Sequence, residues 1–136
     1  MLELFDLLRR IIMDFEKIKN NYATLFDFTQ ENENKWNIIC PYFKQDGSMF
    51  EIYLIKKNDK FYLTDDGYTL TNLNCLVDVD CEDCVNVRHE ICEHFSVKEL
   101  KDGSFEKEIT QENFYVVLSQ FVCFCSQVEN LVIYFN

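Results

Sequence analysis

The sequence predicts a single α+β domain with an N-terminal helix, an antiparallel β-meander, two short helices, a β-hairpin and a long C-terminal helix. Three observations carry this. Apolar residues recur first at the three-and-four spacing of a helix face, then in short β-branched and aromatic runs, and at helical spacing again near the end. All three glycines follow an aspartate, at Asp46-Gly47, Asp66-Gly67 and Asp102-Gly103, and such pairs make tight turns because glycine tolerates positive φ. A chain of 136 residues, 48% apolar with 13 Phe and 7 Tyr, suffices for one core. No linker, repeat or low-complexity segment divides it, so residues 1–136 are read as one domain.

The elements follow in order. Leu4, Phe5, Leu8, Ile11, Ile12, Phe15 and Ile18 share one face of an amphipathic helix over residues 2 to 19. The runs "TLFDFTQ", "KWNIICPYF", "MFEIYLIKK" and "KFYLT" read as strands joined by "ENEN", "KQDGS" and "ND". Pro41 has no N–H to donate to a ladder, which places its strand at an edge or at a bulge. After Gly67, Thr69 or Thr71 caps a short helix through Leu76, and a second helix runs from about Cys81 to Phe95. A hairpin turns at Asp102-Gly103. Thr110 then caps the terminal helix, with Glu112 in its first turn and Phe114, Val117, Leu118, Phe121 and Cys125 along one face.

The segment "CPYFKQDGSMFEIYLIKKNDKFYLTDDGYTLTNL", Cys40 to Leu73, resembles the phage- and prophage-associated domain of unknown function numbered 1828. A proline-aromatic pair, a hairpin, an "IY" strand and "LTDDGYT" before a short helix stand in the family's order. The likeness extends more weakly to the chain end and implies a fold and a genetic setting, with no established activity. It marks Thr64, Asp65, Asp66, Gly67 and Tyr68 as the family-motif turn. The family pattern expects Asp-Arg and a further Asp after the proline-aromatic pair, where this chain has Lys44, Gln45 and Ser48.

Two stretches hold candidate chemistry. Asp65 and Asp66 point to opposite faces if extended, so they converge on one metal only if the turn rotates one of them, with Glu51 and Lys56 or Lys57 as helpers. The simpler reading has Asp65 accepting from the turn's amides, Asp66 initiating the turn into Gly67, and Tyr68 packing on the sheet. In "CEDCVNVRHEICEH", Cys81, Cys84, His89, Cys92 and His94 are zinc-ligand types, but on one helix Cys81 and Cys92 lie about 16 Å apart. There Cys84, Val85, Arg88, Ile91, Cys92 and Phe95 form a plausible buried stripe instead. "CFC" at Cys123 and Cys125 reads likewise as packing, because two thiols at that spacing splay apart on a helix. No GxSxG, HExxH or phosphate-loop string occurs, and neither catalytic residue nor metal nor cofactor is assigned.

Charge ranks the functions. With 24 acidic against 13 basic residues the chain carries −11, so nucleic acid and anionic membranes are disfavoured as direct partners and a basic protein surface is favoured. Asp78, Asp80, Glu82, Asp83, Glu90 and Glu93 fall in one short region opposed only by Arg88. Such a run is commonly a solvated face. Carboxylates three or four residues apart on a helix sit about 5 to 6 Å apart, close enough to a phosphate repeat for partial mimicry. The favoured reading is a non-catalytic phage-type binding module, an inhibitor of a host nucleic-acid-binding defence system of anti-restriction or anti-CRISPR type. The alternative is a metal-dependent phosphodiesterase or metal-binding domain at Asp65-Asp66. Seven cysteines, the acid before the apolar N-terminal residues and the lack of a long apolar window suggest reduced thiols and a cytoplasmic setting. The apolar run Leu131 to Phe135 is expected to be docked, within the domain or in a homodimer.

Overall fold

The computed structural model describes residues 15–22 and 26–135. Residues 2–14 of the expected N-terminal helix lie outside them; its last residues belong to α1, Phe15–Tyr22, which continues past the expected end at residue 19. Strands β1 (Asp27–Asn32), β2 (Lys35–Ile39), β3 (Ile52–Lys57) and β4 (Lys60–Thr64) form the meander. The chain then leaves the sheet through α2 (Tyr68–Asn74) and α3 (Glu82–Phe95), and returns as β5 (Lys98–Glu99) and β6 (Phe105–Ile109). It ends in α4 (Phe114–Glu129) and the short turn α5 (Val132–Phe135). The strands form one antiparallel sheet in the order β1-β2-β3-β4-β6-β5.

Strand alternation decides which face is covered. Trp36, Ile38, Ile52, Leu54, Phe61, Leu63 and Ile109 are buried and stand on one face by the strand period of two. The other face carries Lys35, Tyr53, Lys57, Tyr62 and Glu106, where ammonium groups sit over aromatic rings and beside carboxylates: Lys57 Nζ is 2.6 Å from Glu106 and 4.8 Å from the Tyr62 ring centre. Apolar cover comes from α4, whose Phe114, Val117, Leu118, Phe121, Val122, Phe124, Cys125 and Val128 are all buried. The Phe124 ring meets Phe105 edge-on at 4.8 Å, joining helix to sheet. By composition Phe114–Phe135 is apolar enough to cross a bilayer, and in this fold its Phe-rich side packs on the sheet.

Several local expectations shift. The β2 strand stops at Ile39, so Pro41 lies beyond the ladder rather than in an edge strand. The loop that follows folds onto α4, where the Tyr42 and Ser119 hydroxyls share a 2.9 Å hydrogen bond. At the start of α4 the cap is Asn113, not Thr110. The Thr110 amide donates to Asn113 Oδ1 at 2.7 Å while the Asn113 amide donates back to Thr110 Oγ1 at 3.3 Å. Glu112 consequently precedes the helix, outside its first turn. Neither Thr69 nor Thr71 caps α2: its N-cap is Gly67, and Thr69 lies buried in the first turn. The second helix is 14 residues long and is capped by the Cys81 sulfur, which accepts from the Cys84 amide.

Arg88 joins α3 to the terminal hairpin. Its Nε donates to Glu99 Oε1 at 2.7 Å and its Nη1 to the Val79 carbonyl at 2.8 Å, with only 5% of the side chain exposed. Removing the guanidinium leaves a carboxylate and a carbonyl without their donor in a largely desolvated place. Arg88→Ala is expected to lower unfolding free energy by about 2–3 kcal/mol in urea titrations, and Arg88→Lys to recover only part of it because an ammonium lacks the planar fork.

Candidate functional site

The family-motif turn is a structural joint. The Asp65 carboxylate, 1% exposed, accepts from three backbone amides: Gly67 at 3.1 Å, Thr69 at 3.0 Å and Phe105 at 2.8 Å. The first two belong to the turn and the opening of α2; the third starts β6, which pairs with β4 only from Thr64↔Glu106 onward. Where the β4 backbone leaves the ladder, a side chain thus takes over the next hydrogen bond. Asp66 and Gly67 adopt consecutive left-handed conformations, φ 57° and 86°, with the Asp66 amide donating to Thr64 Oγ1 at 3.1 Å.

The two aspartates are engaged separately. Asp66 meets Lys35 Nζ at 2.9 Å on the outer face of the sheet, while Asp65 faces the core beside α4. Glu51 is exposed ahead of β3, Lys57 answers Glu106 and Lys56 lies over the Phe61 ring at 5.8 Å. Tyr68, which the sequence reading packs on the sheet, is 42% exposed.

In the cysteine–histidine segment, α3 runs unbroken. Cys84, Arg88 and Cys92 are buried along one side with Val85, Ile91 and Phe95 partly covered, while His89 and His94 are exposed. Among the described residues no group of three or more His, Cys, Asp or Glu side chains is placed to hold a metal ion. Burial, then the Glu99 charge, push the Cys92 thiol up to about 11. Burial followed by the Asp65 charge raises Cys125 far above the ordinary thiol range. Its neighbour in "CFC", Cys123, is exposed.

All six carboxylates of the acidic segment are exposed. At roughly 100° per residue, Glu82, Asp83, Glu90 and Glu93 fall within a single arc of α3 opposite its buried side, and Asp78 and Asp80 precede it in a turn where Asp78 Oδ1 accepts the Asp80 amide at 3.0 Å. The Arg88 charge does not oppose this row as the spacing suggests, because the side chain is directed inward to Glu99 and Val79. Lys107 is likewise committed, donating to the Phe95 and Ser96 carbonyls at the end of α3.

Sequence reading missed two concave places formed by residues distant in the chain. One is a cleft of about 320 Å³ between the loop after β2, α2 and the end of α4. Lys44 in it meets Glu129 at 3.0 Å, and Phe43 and Leu76, each 61% exposed, flank it. The other is an apolar groove between α3 and α5. A signal for the second existed in the run "LVIYF", which is only half docked: Leu131 is buried, but Ile133 and Tyr134 are 71% and 79% exposed.

Together these features define an α+β domain held by a buried carboxylate joint and presenting an acidic helix. The family model for the domain of unknown function DUF1828 matches residues 40–128, more than half of the chain, and the protein belongs to that family. The match spans the loop after β2, the Asp65 joint, both middle helices and nearly all of α4. No curated protein and no solved structure matches the chain.

Two measurements test this geometry. Asp65→Asn replaces one acceptor with an amide group that faces donors, so its expected cost is about 2–3 kcal/mol, not the mild effect expected of a surface turn. Gly67→Val forces a β-branched residue to φ 86° and is expected to cost a similar amount, about 1–3 kcal/mol, despite open space around the missing Cβ; urea midpoints check both. Alkylation at pH 8 under native conditions should modify Cys75 and Cys123 first, since both are exposed, and leave Cys40, Cys84, Cys92 and Cys125 unmodified until the chain unfolds. Intact-mass spectra during the time course read this directly.

Proposed function

We propose that this protein is a non-catalytic, phage-type acidic binding module that occupies a basic, nucleic-acid-binding surface of a host defence protein, in the manner of an anti-restriction or anti-CRISPR inhibitor acting in the cytoplasm. The observation that carries this reading is the exposed carboxylate row of α3 with Arg88, the cation within that helix, withdrawn into the fold. A net charge of −11 would be unspecific if spread evenly. Concentrated on a rigid helix, it produces a local negative field that steers a basic partner and rejects acidic ones. Over the three turns from Glu82 to Glu93 the row extends about 16 Å, the scale of a short stretch of nucleic-acid backbone. The alternative centred on Asp65-Asp66, a metal-dependent phosphodiesterase or metal-binding domain, draws less support, since three amides occupy the Asp65 carboxylate.

Affinity capture from a bacterial lysate tests the proposal. The native chain should retain a basic protein that added DNA displaces, and the combined variant Asp80→Asn, Glu82→Gln, Asp83→Asn should bind it about tenfold more weakly, with a flatter dependence on salt. Equal retention by both chains, unaffected by DNA or salt, would sink the mimicry.

A further inference from the structure

The side of α3 next to the acidic row is apolar and only partly covered. Val87 and Ile91 from α3, with Leu131, Tyr134 and Phe135 from the chain's last turns, line a groove of about 590 Å³, completed by the neutral Gln127 and Asn130. This lies within the range of about 300–1,000 Å³ typical of ligand-holding pockets. Its α3 wall is edged by acid: Asp83 stands one turn before Val87, and Glu90 directly precedes Ile91, both exposed. Among the described residues no ion pair offsets them, and Arg88, the only basic residue other than histidine in α3, is directed inward. From Thr110 to the chain end there is no lysine or arginine at all.

We infer that this groove receives an amphipathic helix of a partner protein, whose large aliphatic side chains enter between α3 and α5 while lysines or arginines beside them pair with Asp83 and Glu90. The inference rests on the acidic-docking reading and deepens it by naming the element of the partner that docks. Charge selects this occupant. A second copy would bring the same uncompensated acidic edge against itself, and an anionic lipid surface would be repelled in the same way. A helix with apolar anchors at i, i+3 or i+4, and i+7 and a basic flank satisfies both the floor and the edge. Tyr134, 79% exposed at the mouth, supplies an aromatic wall that such anchors cover.

The test uses three synthetic peptides of about 14 residues, roughly four helical turns: an amphipathic Leu/Lys helix, its Leu/Glu counterpart, and a Lys/Gly/Ser peptide of equal positive charge with no apolar edge. Each is titrated into the full ¹⁵N-labelled chain. The Leu/Lys peptide should shift the amides of Val87, Ile91, Leu131 and Tyr134, and bind about tenfold more tightly than either control. Tyr134→Ser, which leaves the core intact, should weaken it about fivefold, and Asp83→Asn with Glu90→Gln should flatten its salt dependence. Shifts confined to Asp78, Asp80 and Glu93, or affinity unchanged by Tyr134→Ser, would overturn the groove while leaving the acidic-docking reading in place. A concentration-dependent dimer in sedimentation that Tyr134→Ser abolishes would overturn it in favour of a second copy. Loss of the lysate partner with peptide binding intact would count against the inhibitor reading alone.

Discussion

One buried carboxylate holds the two halves of the fold together. The sheet is assembled from a local meander and a hairpin that returns after more than thirty residues of helix and turn, and nothing in the covalent order fixes where that hairpin docks. Asp65 does so by accepting the Phe105 amide with the same oxygen that accepts Gly67, so the turn that starts α2 and the strand that closes the sheet share one acceptor. Because a buried amide without a partner costs more than a hydrogen bond gains, the three donors and the carboxylate stabilise one another as a set. The position of α2 against α4 follows from this, as does the surrounding of Cys125, whose thiol is held neutral by burial beside that carboxylate.

What was legible in the sequence was what depends on neighbours in the chain. The period of two in "KFYLT" and the period of three to four after Asn113 placed strand and helix correctly. The left-handed Asn58 and Asp59, φ 51° and 64°, sit at the "ND" hairpin read from composition. The Asp-Gly pair at Asp102-Gly103 likewise marked the last turn. Asp65 as an acceptor for turn amides was also legible, since Asp commonly bonds backbone two residues on. Its bond to Phe105 was not, because that partner is 40 residues away. The direction of Arg88 was hidden for the same reason: its partners Val79 and Glu99 flank α3 on opposite sides, and only the tertiary return of the hairpin brings Glu99 within reach. Capping by Thr110 failed by three residues, as Thr110 and Asn113 form a reciprocal pair in which either could be taken for the cap.

The distribution of ion pairs explains why the surface is more polarised than the composition. Lys35, Lys44, Lys57 and Lys60 each stand beside a carboxylate, and Arg88 beside Glu99. Most of these serve the outer sheet face or the joints between elements. Exposed pairs such as Lys60–Glu108 contribute little to stability, yet they offset part of the carboxylate charge on the sheet side of the molecule. Most of the negative excess is left on the helical side, where α3, α4 and α5 have no exposed lysine or arginine.

The acidic positions on α3 divide by what they do for the helix itself. Glu82 and Asp83 lie in its first turn, where a negative charge is favourable to the helix dipole. Glu90 and Glu93 lie towards its C-terminus, where the same charge opposes the dipole, and no ion pair compensates either among the described residues. Local stability thus accounts for the first pair and argues against the second. The C-terminal end is held instead by the left-handed Ser96 cap, whose amide donates to Cys92 and Glu93, and by Lys107 on the final carbonyls. A helix secured at both ends by other means can carry carboxylates that its own dipole disfavours, and it presents them in a fixed array. Binding through such an array loses little conformational freedom, which is what a surface that recognises charge spacing requires.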